Sequence, residues 1–341
     1  MPCQSCASSC NANGHTCANA AGQAGCGWWA CAQSDAVAPG QNVRDFLVAA
    51  RSATSAYIPM LTYYEFLNAS GVTEGVNEIA ALSNVALMHR YFADWRFLIQ
   101  QIGSDTAILH IEPDLWGFAL QQKGPDPGRT AVAVANANGT DCAGYPDDLT
   151  GMAKCMISMS RKYAPNARVG LHASAWSAGI DALYDSDPQV DVSQSALKVA
   201  KFLLSCGAGD GDFIGIEASD RDAGYYQTKG LSTFWDTTNA SLPDFTQALG
   251  WARTLTAALR RPAIAWQIPV GNMALSNTAG KWQDNRVDYL LTHAADVSAA
   301  HIVALAFGAG APDQTTPDSD GGNFTTRVKA YQTGAAATVC P

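Results

Sequence analysis

From about residue 57 onward, short apolar runs alternate with stretches in which apolar residues recur every three or four positions. Runs of strand length stand at 58–64, 107–111, 167–171, 212–216, 263–269 and 301–307. Helical spacing leads up to about residue 102, with Leu87, Tyr91, Trp95 and Leu98 on one face, and recurs over 152–163, 192–206, 245–261, 284–295 and 324–331. Trp95 and Trp251 fall inside these helices and are expected in the core. A polar excursion over 121–148, rich in Gly, Pro, Asn and Asp, breaks the alternation; loops of that length are usually functional or mobile. Strands alternating with helices predict a parallel sheet with right-handed crossovers. The expected fold class is therefore α/β: a (β/α) barrel, distorted or with fewer than eight regular strands. A doubly wound open sheet is the second choice. With no Gly-x-Gly-x-x-Gly turn and no Walker lysine, nucleotide-binding versions lose ground.

The second apolar run ends abruptly in Glu112-Pro113-Asp114-Leu115-Trp116. Pro113 cannot donate to a sheet ladder, so the strand stops there and delivers two carboxylates to a sheet edge. In a parallel α/β protein the carboxyl ends of the strands are where ligands bind. Glu112 as a helix cap or an arginine partner is the plain alternative. Several other strands, however, end in similar chemistry: Tyr64 and Glu65, His172 and Trp176, Glu217 with Asp220 and Asp222, Trp266 and Gln267, and Asp313. Acids mixed with tryptophans and tyrosines on one rim suit a carbohydrate, because rings stack on sugar faces and carboxylates bond hydroxyls and move protons. Trp116, Trp176 and Trp266 follow or end strands and are the candidate sugar platforms. His110 and His172 read more readily as hydrogen-bonded structural residues, and no nucleophile elbow supports a triad. Asp220-Arg221-Asp222 could equally be a self-contained ion pair. Taken alone, the strand ends select Glu112 and Glu217 as the catalytic pair.

Composition narrows the class. At 341 residues and 48% hydrophobic the chain can bury a large core. Only 15% of residues are charged and the net charge is -9, without the Lys and Arg clusters that track phosphates, so nucleic acid is disfavoured as a partner. No apolar stretch reaches membrane-spanning length. Of 10 cysteines, Cys3, Cys6, Cys10, Cys17, Cys26 and Cys31 crowd the head of the chain; Cys142, Cys155, Cys206 and Cys340 lie farther on. The head has almost no aliphatic side chains, so it needs crosslinks to hold a shape. Disulfides and an oxidising compartment are expected, with a zinc knuckle at Cys3-Gln4-Ser5-Cys6 and His15 as the competing reading. No hydrophobic leader precedes them, and Met1 is read as an expression start or the end of a trimmed export signal. Residues 1–40 are thus a Cys-rich extension packed on a barrel, and 41–341 a single catalytic domain. Sequons at Asn68, Asn138, Asn239 and Asn323 carry little weight without a known host.

The strand followed by Glu112-Pro113-Asp114 and an apolar residue resembles the Glu-Pro-Asp-Ser-Leu motif of glycoside hydrolase family 6, inverting cellulases with a distorted barrel. Upstream, Tyr64, Ala69-Ser70-Gly71, Glu74 and Glu78 resemble the loop that carries that family's proton donor. Downstream, 169–176 is similar to its strand ending in a His and a Trp, and 302–313 to its closing strand, Gly-rich turn and acid. The resemblance implies Asp114 as an acid supporting the donor's protonation, Glu74 as the donor and Asp313 as the base. It departs where the family has an aspartate donor, a Leu-Pro-Asp-Arg-Asp strand end (here Glu65-Phe66) and a lysine before the last turn.

The expectation is a secreted, monomeric glycoside hydrolase acting on a β-linked polysaccharide by carboxylate acid/base chemistry, without cofactor. Its catalytic candidates are Asp114, Glu112, Glu74, Asp313 and Glu217; Tyr64, Trp116, His172, Trp176, Asp220, Trp266 and Gln267 are its substrate contacts. A non-catalytic glycan-binding barrel is the second reading. A metal-dependent hydrolase or lyase holding its ion on Glu112, Asp114, Glu217 and Asp220 is the third.

Overall fold

A computed structural model describes residue 29 and residues 39–53, 57–308 and 310–334. The six head cysteines and Cys340 lie outside them, and with them the choice between disulfides and zinc. The chain forms two compact units, Met1–His172 with Phe202–Asp212, and Ala173–Lys201 with Phe213–Pro341.

In the first unit α1 (Gln41–Ala53) precedes β1 (Met60–Tyr63), and α2 (Phe66–Ser70), α3 (Val76–Ala81) and α4 (Val85–Ile102) lead to β2 (Ile108–Ile111). After α5 (Leu115–Lys123) and the excursion, α6 (Leu149–Tyr163) leads to β3 (Arg168–Ala173). β1 pairs with β2 and β2 with β3, both in parallel. The single long helix expected before residue 102 is two, because Asn84 breaks it: its side chain accepts the Leu87 N–H and caps α4. Tyr91, Trp95 and Leu98 are buried as their spacing predicted, with Tyr63 packed on the rings of Tyr91 and Trp95 at 5.4 and 4.8 Å. Trp95 Nε1 donates to Met156 O across to α6.

The excursion is held rather than loose. Val132, Val134, Asn138 and Cys142 are buried, Asp147 Oδ1 accepts the Val134 N–H at 2.7 Å, and a disulfide joins Cys142 to Cys155 on α6. Gly151 permits the approach of α6 to this segment, since a Cβ there would lie 1.9 Å from Pro146 O. Cys206, expected to be crosslinked, is instead a buried free thiol among the described residues, and burial pushes its pKa up.

α7 (Val192–Cys206) runs before the strands of the second unit. There β4 (Phe213–Glu217), α8 (Ala223–Thr228), α9 (Phe245–Leu259), β5 (Ala263–Ile268), α10 (Arg286–Thr292), α11 (Ala294–Ala299), β6 (Ile302–Phe307) and α12 (Asn323–Thr333) follow in order. β4 pairs with β5 and β5 with β6, again in parallel, with irregularities in the second pairing. Trp251 is buried in α9, which is capped by Asp244 at its start and ends at Arg260 in a left-handed conformation. The helix expected over 284–295 breaks at His293 into α10 and α11. Arg286 is fully buried, bonded to Asp284 at 2.7 Å and set over the Trp235 ring at 4.4 Å. The chain is thus α/β with six parallel strands among the described residues, fewer than the eight of a full barrel. Among the described residues no helix is long and apolar enough to cross a membrane.

Candidate functional site

In the first unit, the residues just past β1 and β2 meet. The Tyr64 hydroxyl donates to Asp114 Oδ2 at 2.7 Å and lies 3.0 Å from Glu74 Oε1. A phenol has one proton, so with it on the Asp114 bond the Glu74 contact is a hydrogen bond only when Glu74 is itself protonated. Asp114 stands at the N-cap of α5 yet makes no side-chain cap bond, which leaves its carboxylate for Tyr64. Burial first, and then the Asp114 charge, holds the Tyr64 phenol far above its ordinary range. Glu74 is exposed, and Tyr64 and Asp114 are half-buried. Asn68, also exposed, donates to Tyr64 O at 2.6 Å.

Glu112 is fully buried, in contrast to the rim position expected for a catalytic acid. Its φ is 44°, an uncommon conformation for a residue with a side chain. Oε1 accepts from Glu65 N at 3.1 Å, Phe66 N at 2.9 Å and the Tyr91 hydroxyl at 2.9 Å, while Oε2 has no partner. Burial raises its pKa to about 8, against those hydrogen bonds and with help from the Glu78 charge. Glu78 is also fully buried; its Oε2 accepts the Gly75 N–H at 3.3 Å and its Oε1 has no partner. Burial, with the Glu74 and Asp114 charges, lifts Glu78 to about 7. Glu65 is raised as well, by burial and then by Asp94 and Glu112.

Two expected sugar contacts lie inside the first unit. Trp116 is 1% exposed and donates Nε1 to Ile111 O, so its ring packs the core instead of offering a face. His172 is likewise buried, its Nδ1 lying 3.0 Å from His110 Nε2. Burial lowers the pKa of both, His110 to about 3, so the pair is neutral. This agrees with the structural reading of the two histidines.

In the second unit Trp176 Nε1 donates to Glu217 Oε1 at 2.8 Å, and Glu217 is in register with Trp266 across β4 and β5. All three are half-buried. Gln267 has a φ of 54° where the β5–β6 register slips, and Asp313, exposed past β6, has a φ of 62°. Non-glycine residues held at positive φ cost about 1–3 kcal/mol each and persist where their surroundings fix them. Asp220 accepts from the Tyr226 hydroxyl, and Arg221 donates to Pro312 O and covers the Tyr225 ring at 4.4 Å. Asp222 is fully buried, accepting from Gly271 N and Thr315 N at 3.0 Å each. Asp220-Arg221-Asp222 is therefore not a self-contained ion pair. Burial, with Asp284 nearby, raises Asp222 to about 7.

Half-buried Trp282 escaped the sequence reading, as did Tyr225 and Tyr226. Trp282 Nε1 donates to Asp313 O at 2.6 Å, and its ring meets Tyr225 edge-on at 5.5 Å. The available signal was a Tyr-Tyr pair and a lone Trp in the segments after strands, beyond the strand ends themselves. Among the described residues no group of three or more His, Cys, Asp or Glu is arranged to hold a metal ion.

No protein-family model matches the chain, and no curated protein matches it in sequence. Among solved structures it is distantly similar to the endoglucanase Cel6 from Mycobacterium tuberculosis, solved with a methyl-cellobiosyl-4-deoxy-4-thio-β-D-cellobioside. The identity there is 14%, the TM-score 0.35, and the match covers 67% of this chain and 56% of that one. The endoglucanase CEL6B from Humicola insolens is 17% identical with a TM-score of 0.37, over 71% of this chain and 65% of that one. The CcCel6A catalytic domain, complexed with p-nitrophenyl β-D-cellotrioside, is 13% identical with a TM-score of 0.36, over 71% and 61%. The chain spans less than two thirds of the length of each. Proteins of this kind are what the Glu-Pro-Asp resemblance pointed to, and the likeness is a distant one.

Proposed function

We propose that the chain is a secreted glycoside hydrolase that cleaves a β-linked glucan by carboxylate acid/base catalysis. The observation that carries this reading is one hydroxyl, that of Tyr64 just past β1, shared by two carboxyls: Asp114, just past the neighbouring parallel strand β2, and Glu74 from the turn before α3. A carboxyl that shares one proton-bearing hydroxyl with a second carboxyl is suitably placed to protonate a leaving glycosidic oxygen. Glu74, the exposed member, is the proposed donor, with Asp114, held by Tyr64, as its supporting acid. The sequence resemblance names Asp313 as the base, with inversion at the anomeric carbon, and its variant below tests that role. In the second unit, Trp176, Trp266, Gln267, Asp220 and Trp282, none of them fully buried, are the proposed sugar contacts by their residue types. A disulfide at Cys142–Cys155 belongs with an oxidising compartment and supports export.

The test is release of reducing ends from soluble β-glucans, by the wild-type chain and by Glu74→Gln, Asp114→Asn and Asp313→Asn. Loss of the donor is expected to lower kcat by about 10²–10⁴ on glucan and far less on aryl glycosides whose leaving group needs no proton. If Asp114→Asn alone shows that rescue, the two roles are exchanged. Glucan binding without turnover at any pH would make the chain a glycan-binding protein instead.

A further inference from the structure

Glu112 brackets Tyr64. Its own N–H donates to Tyr63 O at 2.8 Å, and its side chain takes the N–H groups of Glu65 and Phe66, so the residue before Tyr64 and the two after it are all bonded to one glutamate. Glu78 does the same for the other arm of the cluster: it holds the N–H of Gly75, the residue after Glu74, at a φ of 84° that suits only glycine. Both glutamates are fully buried and so cannot touch a substrate.

We propose that Glu112 and Glu78 are positioning residues that fix, from beneath, the backbone on either side of the Tyr64 hydroxyl so that Asp114 and Glu74 converge on it. This rests on the reading of that cluster as the acid site. Glu112 serves Tyr64 through the N–H groups of Glu65 and Phe66, and Asp114 through Pro113, the one residue between them. Glu78 serves Glu74. The φ of 44° at Glu112 is what turns its side chain back under β1, and the bonds it makes there over-determine it. A glutamate that merely filled the core would need no side-chain bonds to the two residues that follow one tyrosine.

The experiment uses the full chain labelled with ¹³C at the tyrosine Cζ, with the Tyr64 signal assigned by Tyr64→Phe. In the wild type, burial and the Asp114 charge are expected to hold the Tyr64 signal well above free tyrosine. Glu112→Ala is expected to let it titrate closer to free tyrosine and to lower kcat about 10²-fold with KM little changed, the cost of displacing catalytic groups by about an ångström. Glu112→Gln, which keeps one oxygen for the same three donors, is expected to recover most of that loss. Where Glu112→Ala does not fold, Tyr91→Phe removes a single donor to the same oxygen and should move the Tyr64 titration and kcat in the same direction, by less. An unchanged Tyr64 titration in both variants, with only the melting temperature lowered, overturns the proposal. The tyrosine signal reads placement without turnover: a chain that cleaves no glucan yet shows the Tyr64 shift loses the hydrolase reading and keeps the positioning one.

Discussion

Glu112 carries all its accepted hydrogen bonds on Oε1 and leaves Oε2 without a partner. Burial raises its pKa from 4.5 to about 8 in the folded chain. Between those values the unfolded chain has released the proton and the folded chain has not, so stability falls as pH rises through this window and levels off above it. The slope from this group is about 1.4 kcal/mol per pH unit. Glu112→Gln, an isostere of the neutral acid, removes the slope: in urea unfolding it should match the wild type near pH 4 and exceed it near pH 8. A wild-type stability as high at pH 8 as at pH 5, with Glu112→Gln parallel to it, would show that Glu112 is ionised in the fold. At this same scale the sequence was only half legible. Glu112 and Asp114 were marked together as strand-end acids. What sends one inward and the other to Tyr64 is a backbone angle at Glu112 that no pattern of residue types encodes. Trp116 was misplaced as well: its ring lies in the core and its Nε1 is bonded back to Ile111 O.

Among elements, strands were the most legible because each is a short apolar run closed by a breaker or an acid. Helices were read where one face is polar. α5 went unread because Leu115, Trp116, Gly117, Ala119 and Leu120 are all buried and leave little polar face to set a period. The segments after strands were least legible, and in the second unit they are tied by one carboxylate. Asp222, just past β4, holds Gly271 past β5 and Thr315 past β6; Thr315 Oγ1 in turn accepts the Trp282 N–H at 2.7 Å. An asparagine at 222 can accept on one side only and turns an N–H toward the other donor. Asp222→Asn should cost about 1–3 kcal/mol and speed amide exchange at Gly271 or Thr315 by tens-fold. Unchanged protection at both amides would remove Asp222 as the tie between these segments.

For the molecule as a whole, surface chemistry decides which decorations it can bear. Asn138 lies buried under the Arg96 guanidinium, whose Nη2 donates to its Oδ1 at 2.9 Å, so its sequon is closed once the chain has folded. Asn68 and Asn239 are exposed. Asn68 stands four residues from Tyr64 and is bonded to its carbonyl. A yeast or mammalian secretory line would therefore plant a branched oligosaccharide at the doorstep of the acid pair, whereas bacterial material would leave it bare. Turnover by the yeast product should rise when the glycan is trimmed enzymatically, and Asn68→Gln should abolish that difference without the trimming.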